Sequence, residues 1–443
     1  MFVPRCCRRA VAGRPCVVAR RGLATFEGDV LGSVDKVKDA PSSGRLSPSG
    51  ELIVENQSTL RVVTFNRPKV LNALSLTQVR ELTRLVRAYE RSNLVKALVF
   101  KGEGGKAFCA GGDIRSLYDN GKDPATRHLT HEFFAEEYIL NQLLKFTDVP
   151  IVSILNGITM GGGVGLSVHG EFRVATDKTM FAMPETGIGF FPDVGGSYFL
   201  PRCESLGVGM YLGLTGERLK GVDTAYAGVA THYIGDRDID AVVRRLQDVV
   251  DNSDSERKTT ANMFAIDEML GEFTPVFEET QFLLNREEIA RIFYQDGDQT
   301  FDEVYARLAK AAKKEDQTGG WATRALKSIE RASPTAVKVT HKLLLNGKRS
   351  KKKAASGARD DERMLDCMKM EYNVAQRFME SHDFFEGVRA VVVDKDLSPS
   401  WNPATLDAVS AAEVDTYFAT KDRKVLDEFA GPDMLEKYKA RWR

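Results

Sequence analysis

VPIVSILNG (149–157) runs into TMGGGVGLSVHG (159–170), and the reading of this junction decides the fold. The first stretch is a short apolar run closed by glycine, the pattern of a strand covered on both faces. The second is a glycine turn that opens a helix. Working outward, VKALVFKG (95–102) is another such strand, while FRVAT (172–176) and MFAM (180–183) follow the junction as further short strands. Strands that alternate with helical segments predict an α/β architecture. Upstream, LIVEN (52–56) and TLRVVTFN (59–66) are β-branched runs separated by Gln57 and Ser58, a hairpin pattern that Arg67-Pro68 closes. Ser75 precedes Gln78 at capping-box spacing, and Val79, Leu82, Leu85, Val86 and Tyr89 recur at helical intervals, which predicts a helix over 76–91. GEGGKAFCAGGD (102–113) reads as a loop, with a long helix expected over roughly 124–147.

From about residue 197 the character becomes helical: LGVGMYLGLTG (206–216), VDTAYAGVA (222–230), IDAVVRRLQDVVDN (239–252) and CMKMEYNVAQRFMES (367–381) are apolar at three and four spacing. GKRSKKKAASGARDDER (347–363) reads as an exposed basic-then-acidic connector, and SPSWNPATLDAV (398–409) as a loop leading to a last helix. Residues 253–320 suggest no role of their own. The chain thus divides into a leader (1–26), a linker (27–50), an α/β core (51–235) and a mainly helical C-terminal region (236–443).

The leader carries Arg5, Arg8, Arg9, Arg14, Arg20 and Arg21 with no acid before Glu27, the composition of a mitochondrial transit peptide and hence of a matrix protein. Over all 443 residues, 62 basic side chains balance 62 acidic ones, so no overall field favours nucleic acid or membrane. No apolar run approaches the roughly 18 residues of a spanning helix. Of the six cysteines, Cys6, Cys7 and Cys16 lie in the leader. Cys109, Cys203 and Cys367 are too few and too irregular for a disulfide framework or a zinc site.

Several chemistries fail on spacing. Lys106 is followed by alanine rather than Ser or Thr, and the dinucleotide fingerprint is missing around Gly161 to Gly165, which disfavours phosphate and hydride transfer. The run from Gly165 to His169 starts like a nucleophile elbow but ends in histidine, so Ser167 is not read as a nucleophile. Cys109 reads as a small buried hydrophobe. His128 and His131 read as exposed helix residues, and no metal site is expected. What remains is backbone chemistry and carboxylates. Gly112 and Gly162 could each turn a bare N–H toward one point, forming an oxyanion hole; on spacing alone they could equally be tight turns. FAMPETGIGFFPDVGG (181–196) sets Glu185 and Asp193 among apolar residues, where a carboxylate is costly to desolvate unless chemistry or a hydrogen-bond partner retains it. Loop-end caps facing solvent are the plainer reading of both acids.

KAFCAGGDI (106–114), NGITMGGGVGLS (156–167) and MPETGIGFFPDVGG (183–196) resemble the crotonase, or enoyl-CoA hydratase/isomerase, superfamily. Together with the stretch 371–403 they are similar, more narrowly, to its 3-hydroxyisobutyryl-CoA hydrolase branch, which acts in valine breakdown. The resemblance implies an α/β, crotonase-like spiral of ββα units with a helical C-terminal region, and oxyanion donors at Gly112 and Gly162. It implies an acyl-CoA substrate whose adenine lies against the backbone near Lys106, Ala107, Phe108 and Ala110, with CoA part of the substrate and no separate cofactor. Hydratases of the superfamily carry a glutamate at the position of Gly165 besides the one at Glu185, whereas Asp193 stands where they usually have glycine. Thioester hydrolysis is therefore expected, with Glu185 as nucleophile or base, Asp193 as its proton partner and Glu137 binding the acyl hydroxyl. Two other readings stay open: a structural component of the small subunit of the mitochondrial ribosome, for which the basic run from Lys348 to Lys353 is the only RNA-facing feature, and an enoyl-CoA isomerase using Glu185. A homo-oligomer is also left open.

Overall fold

Among the described residues, eleven strands form two sheets that share one spiral. The strands are β1 (Arg45–Leu46), β2 (Leu52–Gln57), β3 (Leu60–Phe65), β4 (Ala97–Gly102), β5 (Ala107–Cys109), β6 (Ile151–Leu155), β7 (Ile158–Met160), β8 (Phe172–Thr176), β9 (Met180–Ala182), β10 (Leu219–Lys220) and β11 (His232–Ile234). The seven-stranded sheet has the order β1-β2-β3-β4-β6-β8-β11, and the four-stranded sheet the order β10-β9-β7-β5. Each turn of the spiral lays a long strand in the first sheet, bends into a short strand of the second, and returns through helical chain. The computed structural model describes residues 44–253, 260–275, 279–297, 299–315, 320–353 and 360–419. The expected transit peptide and the linker as far as residue 43 lie outside the described residues.

The large sheet is covered on both faces because its central strands are mainly apolar, and alternation deals their side chains to two cores. Val63, Phe65, Leu98, Phe100, Ile151 and Leu155 meet the helices Leu76–Arg91 and His128–Phe146 on one side. Leu60, Val62, Ala97, Val99, Val152 and Val174 meet Val242, Leu246, Val250, Ile266, Met269 and Leu270 on the other. Burying each such branched side chain fully contributes about 1.5–3 kcal/mol. The helices Ile239–Asp251 and Thr260–Glu272 are therefore the cover of the sheet's far face, which gives part of the unassigned stretch 253–320 a structural task. Val339, Leu343, Met368 and Phe378, from the C-terminal region, belong to the same core as β3 and β4.

The Leu76–Arg91 helix starts with the expected capping box, the Ser75 side chain accepting from the Gln78 N–H. Elsewhere the structure corrects the boundaries. The long helix begins at His128, not near 124, because Asp123 to Arg127 form turns in which Asp123 accepts the Ala125 N–H at 2.9 Å. An additional helix, Ile114–Lys122, precedes it, capped by Asp113. The segment read as a loop over 102–113 contains β5, and the end of the expected linker forms β1. The supposed connector at 347–363 is largely helical: Pro334–Lys353 and Asp360–Phe378 take up all of it except residues 354–359, which are not described. Among the described residues no helix is long and apolar enough to cross a membrane.

Candidate active site

The first wall of the site is backbone. β5 and β7 run parallel as neighbours, so the turns that follow them, Ala110 to Gly112 and Gly161 to Gly162, lie side by side. Gly161 bends the chain at φ +45°, a conformation that favours glycine. A Cβ built on Gly162 would lie 3.1 Å from the Gly112 nitrogen and 2.6 Å from Glu137 Oε1. The two glycines thus face each other with no side chain between them. Their carbonyls accept from the Ile114 and Leu166 N–H groups, while neither glycine N–H donates among the backbone hydrogen bonds of the described residues outside helices and strands. The helix that Gly162 opens spans only Gly162–Gly165, so the help expected from a helix N-terminus shrinks to local N–H groups. Along the same wall Lys106 is exposed, Ala107 and Phe108 are buried and Ala110 is half-buried. The Phe108 ring stacks edge-on to Phe65 at 5.3 Å within the core, leaving its backbone as the surface a ligand could meet.

The second wall is acidic. Glu137, Glu185 and Asp193 are 2%, 6% and 6% exposed, which removes them from the solvated caps the sequence left open. Glu185 opens the 3-10 turn Glu185–Ile188, and a Cβ on Gly161 would stand 3.0 Å from its Oε1, so this carboxyl reaches the corner between the two glycines. Asp193 accepts a hydrogen bond from the Tyr138 hydroxyl at 2.8 Å. Among the described residues Glu137 Oε1 and Glu185 Oε2 are buried with no partner. Burial raises the proton affinity of all three. Asp193 moves up to about 7 despite the Tyr138 hydrogen bond, and the charge of Asp193 helps push Glu137 and Glu185 well above the usual carboxylate range. Close carboxylates in one dry site cannot all ionise. At neutral pH the cluster retains at least one proton, and the Tyr138 hydrogen bond makes Asp193 the member that ionises first.

The acidic loop is fastened from outside itself. The Thr186 carbonyl accepts the Ser333 N–H at 3.0 Å, and the backbone of Gly189 lies so close to Asp383 that a Cβ there would stand 2.1 Å from its carbonyl oxygen. Phe190 stacks on Phe134 at 5.4 Å and meets Phe378 and Phe384 edge-on at 5.5 and 5.6 Å. Directly after Asp193, Val194 sits at φ +50° and Gly195 at φ +85°. A β-branched residue in the left-handed region is strained and persists only where its surroundings enforce it. His169 enforces it through a 2.8 Å hydrogen bond between its Nε2 and the Val194 carbonyl, burial having pushed the imidazole down to about 3 and so kept it neutral.

A sequence model of the enoyl-CoA hydratase/isomerase family matches residues 60–418, a span that includes both walls. The chain belongs to the enoyl-CoA hydratase/isomerase family. Among curated proteins it is similar to the mitochondrial 3-hydroxyisobutyryl-CoA hydrolase of Danio rerio, 40% identical over 376 residues, covering 85% of this chain and 91% of that protein. The protein of the same name from Homo sapiens is 38% identical over 368 residues, covering 83% and 88%. Among solved structures it resembles a carnitinyl-CoA dehydratase from Mycobacterium thermoresistibile, with a TM-score of 0.70 and 32% identity over 84% of this chain and 97% of that one. An enoyl-CoA hydratase from Rhodobacter sphaeroides gives 0.69 and 30%, covering 84% and 98%. These neighbours bear out the α/β fold of the family with its helical C-terminal region.

Within this family fold the position of Gly165 is closed. A Cβ there would stand 2.6 Å from Val194 Cβ and 2.9 Å from Asn141 Nδ2; any larger side chain would have to displace one of them. Ser167 is buried with its hydroxyl donated to the carbonyls of Gly163 and Val164. The Cys109 thiol is buried and pushed up to about 12. Neither is positioned as a nucleophile. Lys348, from the basic run, pairs with Asp296 at 3.5 Å and lies over the Tyr294 ring. Sequence reasoning missed Tyr138, Asn141, His169 and Glu371. The first two had a signal: they are polar groups beside and one turn beyond Glu137, set among the buried apolar residues Phe133, Phe134, Ile139, Leu140 and Leu143. Among the described residues both amide atoms of Asn141 are buried without a partner, and its Nδ2 lies beside Gly165.

Proposed function

We propose that the chain hydrolyses the thioester of 3-hydroxyisobutyryl-CoA to 3-hydroxyisobutyrate and CoA, in mitochondrial valine breakdown. One observation carries the reading: two facing glycine backbones and two buried carboxyls converge on one point, while the position that would hold a second hydratase glutamate is filled by Val194 and Asn141. The names of the curated relatives support the same reaction and compartment.

In this reading the thioester oxygen accepts from the Gly112 and Gly162 N–H groups, and CoA runs past Lys106, Ala107, Phe108 and Ala110. An ionised Glu185 attacks the acyl carbon, or draws a proton from water that does. The C–S bond breaks and the departing thiolate takes a proton from Asp193. On the covalent route water then opens the anhydride and its proton returns to Asp193, so one water is consumed for each acid and thiol released. Glu137 accepts the acyl hydroxyl. The resting site favours the proton on Glu185 rather than Asp193, because Tyr138 donates to Asp193. That observation favours a second assignment of the same pair, in which Asp193 activates water and Glu185 protonates the thiolate. Free-thiol release from 3-hydroxyisobutyryl-CoA, by wild type and by Glu185→Gln and Asp193→Asn, tests the reading. Losing a positioned acid or base should cost roughly 10²–10⁴-fold in kcat. Pure wild-type protein that releases no thiol would sink it.

A further inference from the structure

Glu371 is a buried carboxyl group that the proposed reaction does not use. It lies on the Asp360–Phe378 helix and is 0% exposed. One oxygen accepts the Gly195 N–H at 2.7 Å; the other accepts the Ser197 N–H at 2.8 Å and the Ser197 hydroxyl. The residue between those two anchors, Gly196, donates its N–H to the Asp193 carbonyl at 2.7 Å. The turn that begins at Asp193 is therefore gripped at Val194 by His169 and at Gly195 and Ser197 by Glu371, over the stretch where φ is left-handed at two successive residues. A desolvated carboxyl group with three donors aimed at it is a clamp for those donors.

We propose that Glu371 is the positioning residue for Asp193: from the C-terminal region it holds the left-handed turn that sets the Asp193 carboxyl against the substrate. The proposal rests on the hydrolase reading above. The ionisable groups facing this turn are Tyr138 and Glu137 from the His128–Phe146 helix, Glu185 from its own loop, the neutral His169, and Glu371 itself. Burial pushes Glu371 up to about 8, above the about 7 of Asp193, so Glu371 keeps its proton while Asp193 titrates and acts on the turn through its hydrogen bonds rather than through a charge.

The test compares thiol release from 3-hydroxyisobutyryl-CoA by the full-length wild type, Glu371→Gln, Glu371→Asp and Ser197→Ala, each with a kcat–pH profile and a melting curve. Glutamine keeps the volume but turns an amide N–H₂ toward a backbone N–H, losing one anchor. The expected result is a loss of about 10²-fold in kcat, the size of effect that a displacement of about 1 Å produces, with KM little changed. The limb of the profile that Asp193→Asn removes should stay in place. Glu371→Asp, which keeps both acceptor oxygens, should recover part of kcat. Ser197→Ala removes one donor only and should lower kcat a few-fold, which keeps the proposal testable if the Gln variant does not fold. Wild-type kcat in a folded Glu371→Gln, or a loss that merely tracks the folded fraction and is not recovered by Glu371→Asp, would overturn the proposal. Wild type that releases no thiol would sink the hydrolase reading and this proposal with it.

Discussion

The two walls of the site are built in opposite ways. The glycine wall is local: Gly112 and Gly162 follow neighbouring strands, and the parallel pairing of β5 with β7 is enough to bring them together. The carboxylate wall is assembled at long range. Its loop is held by Ser333, Glu371 and the backbone of Asp383, and the hydrogen bond from Gly195 to Glu371 spans 176 residues of sequence. The glycine half is thus fixed by the spiral core, and the acidic half by what braces it from the C-terminal region.

The comparison is broken most severely on the local side. Gly162→Ala would put a methyl 3.1 Å from the Gly112 nitrogen, inside the gap a carbonyl oxygen must enter. Removing one oxyanion donor costs roughly 10²–10³-fold in kcat, and a loss of that size is expected in a thiol-release assay. The melting temperature should change little, because the other close atom, Glu137 Oε1, ends a side chain that can swing away. A variant as active as wild type would mean that the facing glycines are only a tight turn.

The smaller effect sharpens the other side. Asp193 titrates at about 7 in the folded chain against an ordinary 3.8. Between those values the unfolded chain has released its proton while the folded chain keeps it. Stability therefore falls as pH rises through this window, and the full cost is present above it. Asp193→Asn removes that cost. Melting curves should show the variant gaining a few degrees over wild type at pH 8 and nothing near pH 4; equal shifts at both would mean that Asp193 is not held in an unfavourable, function-dictated setting.

The difference between the walls also explains what could be read from the chain. The hairpin, the Leu76–Arg91 helix with its capping box, β4 and β6 were legible because each is a local pattern of apolar period and cap. Gly112, Gly162, Glu185 and Asp193 were legible as candidates because glycine turns and acids in apolar runs are local anomalies. The structure brings these four and Glu137 to one place. The helix Ile114–Lys122 was hidden because it follows a glycine-rich run that reads as loop. Glu371, His169 and the cover formed by Ile239–Asp251 and Thr260–Glu272 were not legible, since no spacing or period links them to their partners. Glu371 in particular looks like any acid on an amphipathic helix until the fold lays it beneath Gly195.

The most direct measurement of the central claim sets hydrolysis against hydration on one purified sample. Wild-type protein is given 3-hydroxyisobutyryl-CoA with free thiol recorded, and the corresponding 2-enoyl-CoA with the conjugated double bond recorded. The closed position at Gly165 and the Glu185/Asp193 pair predict thiol release from the first and no loss of the double bond in the second. Loss of the double bond without thiol release would contradict the account.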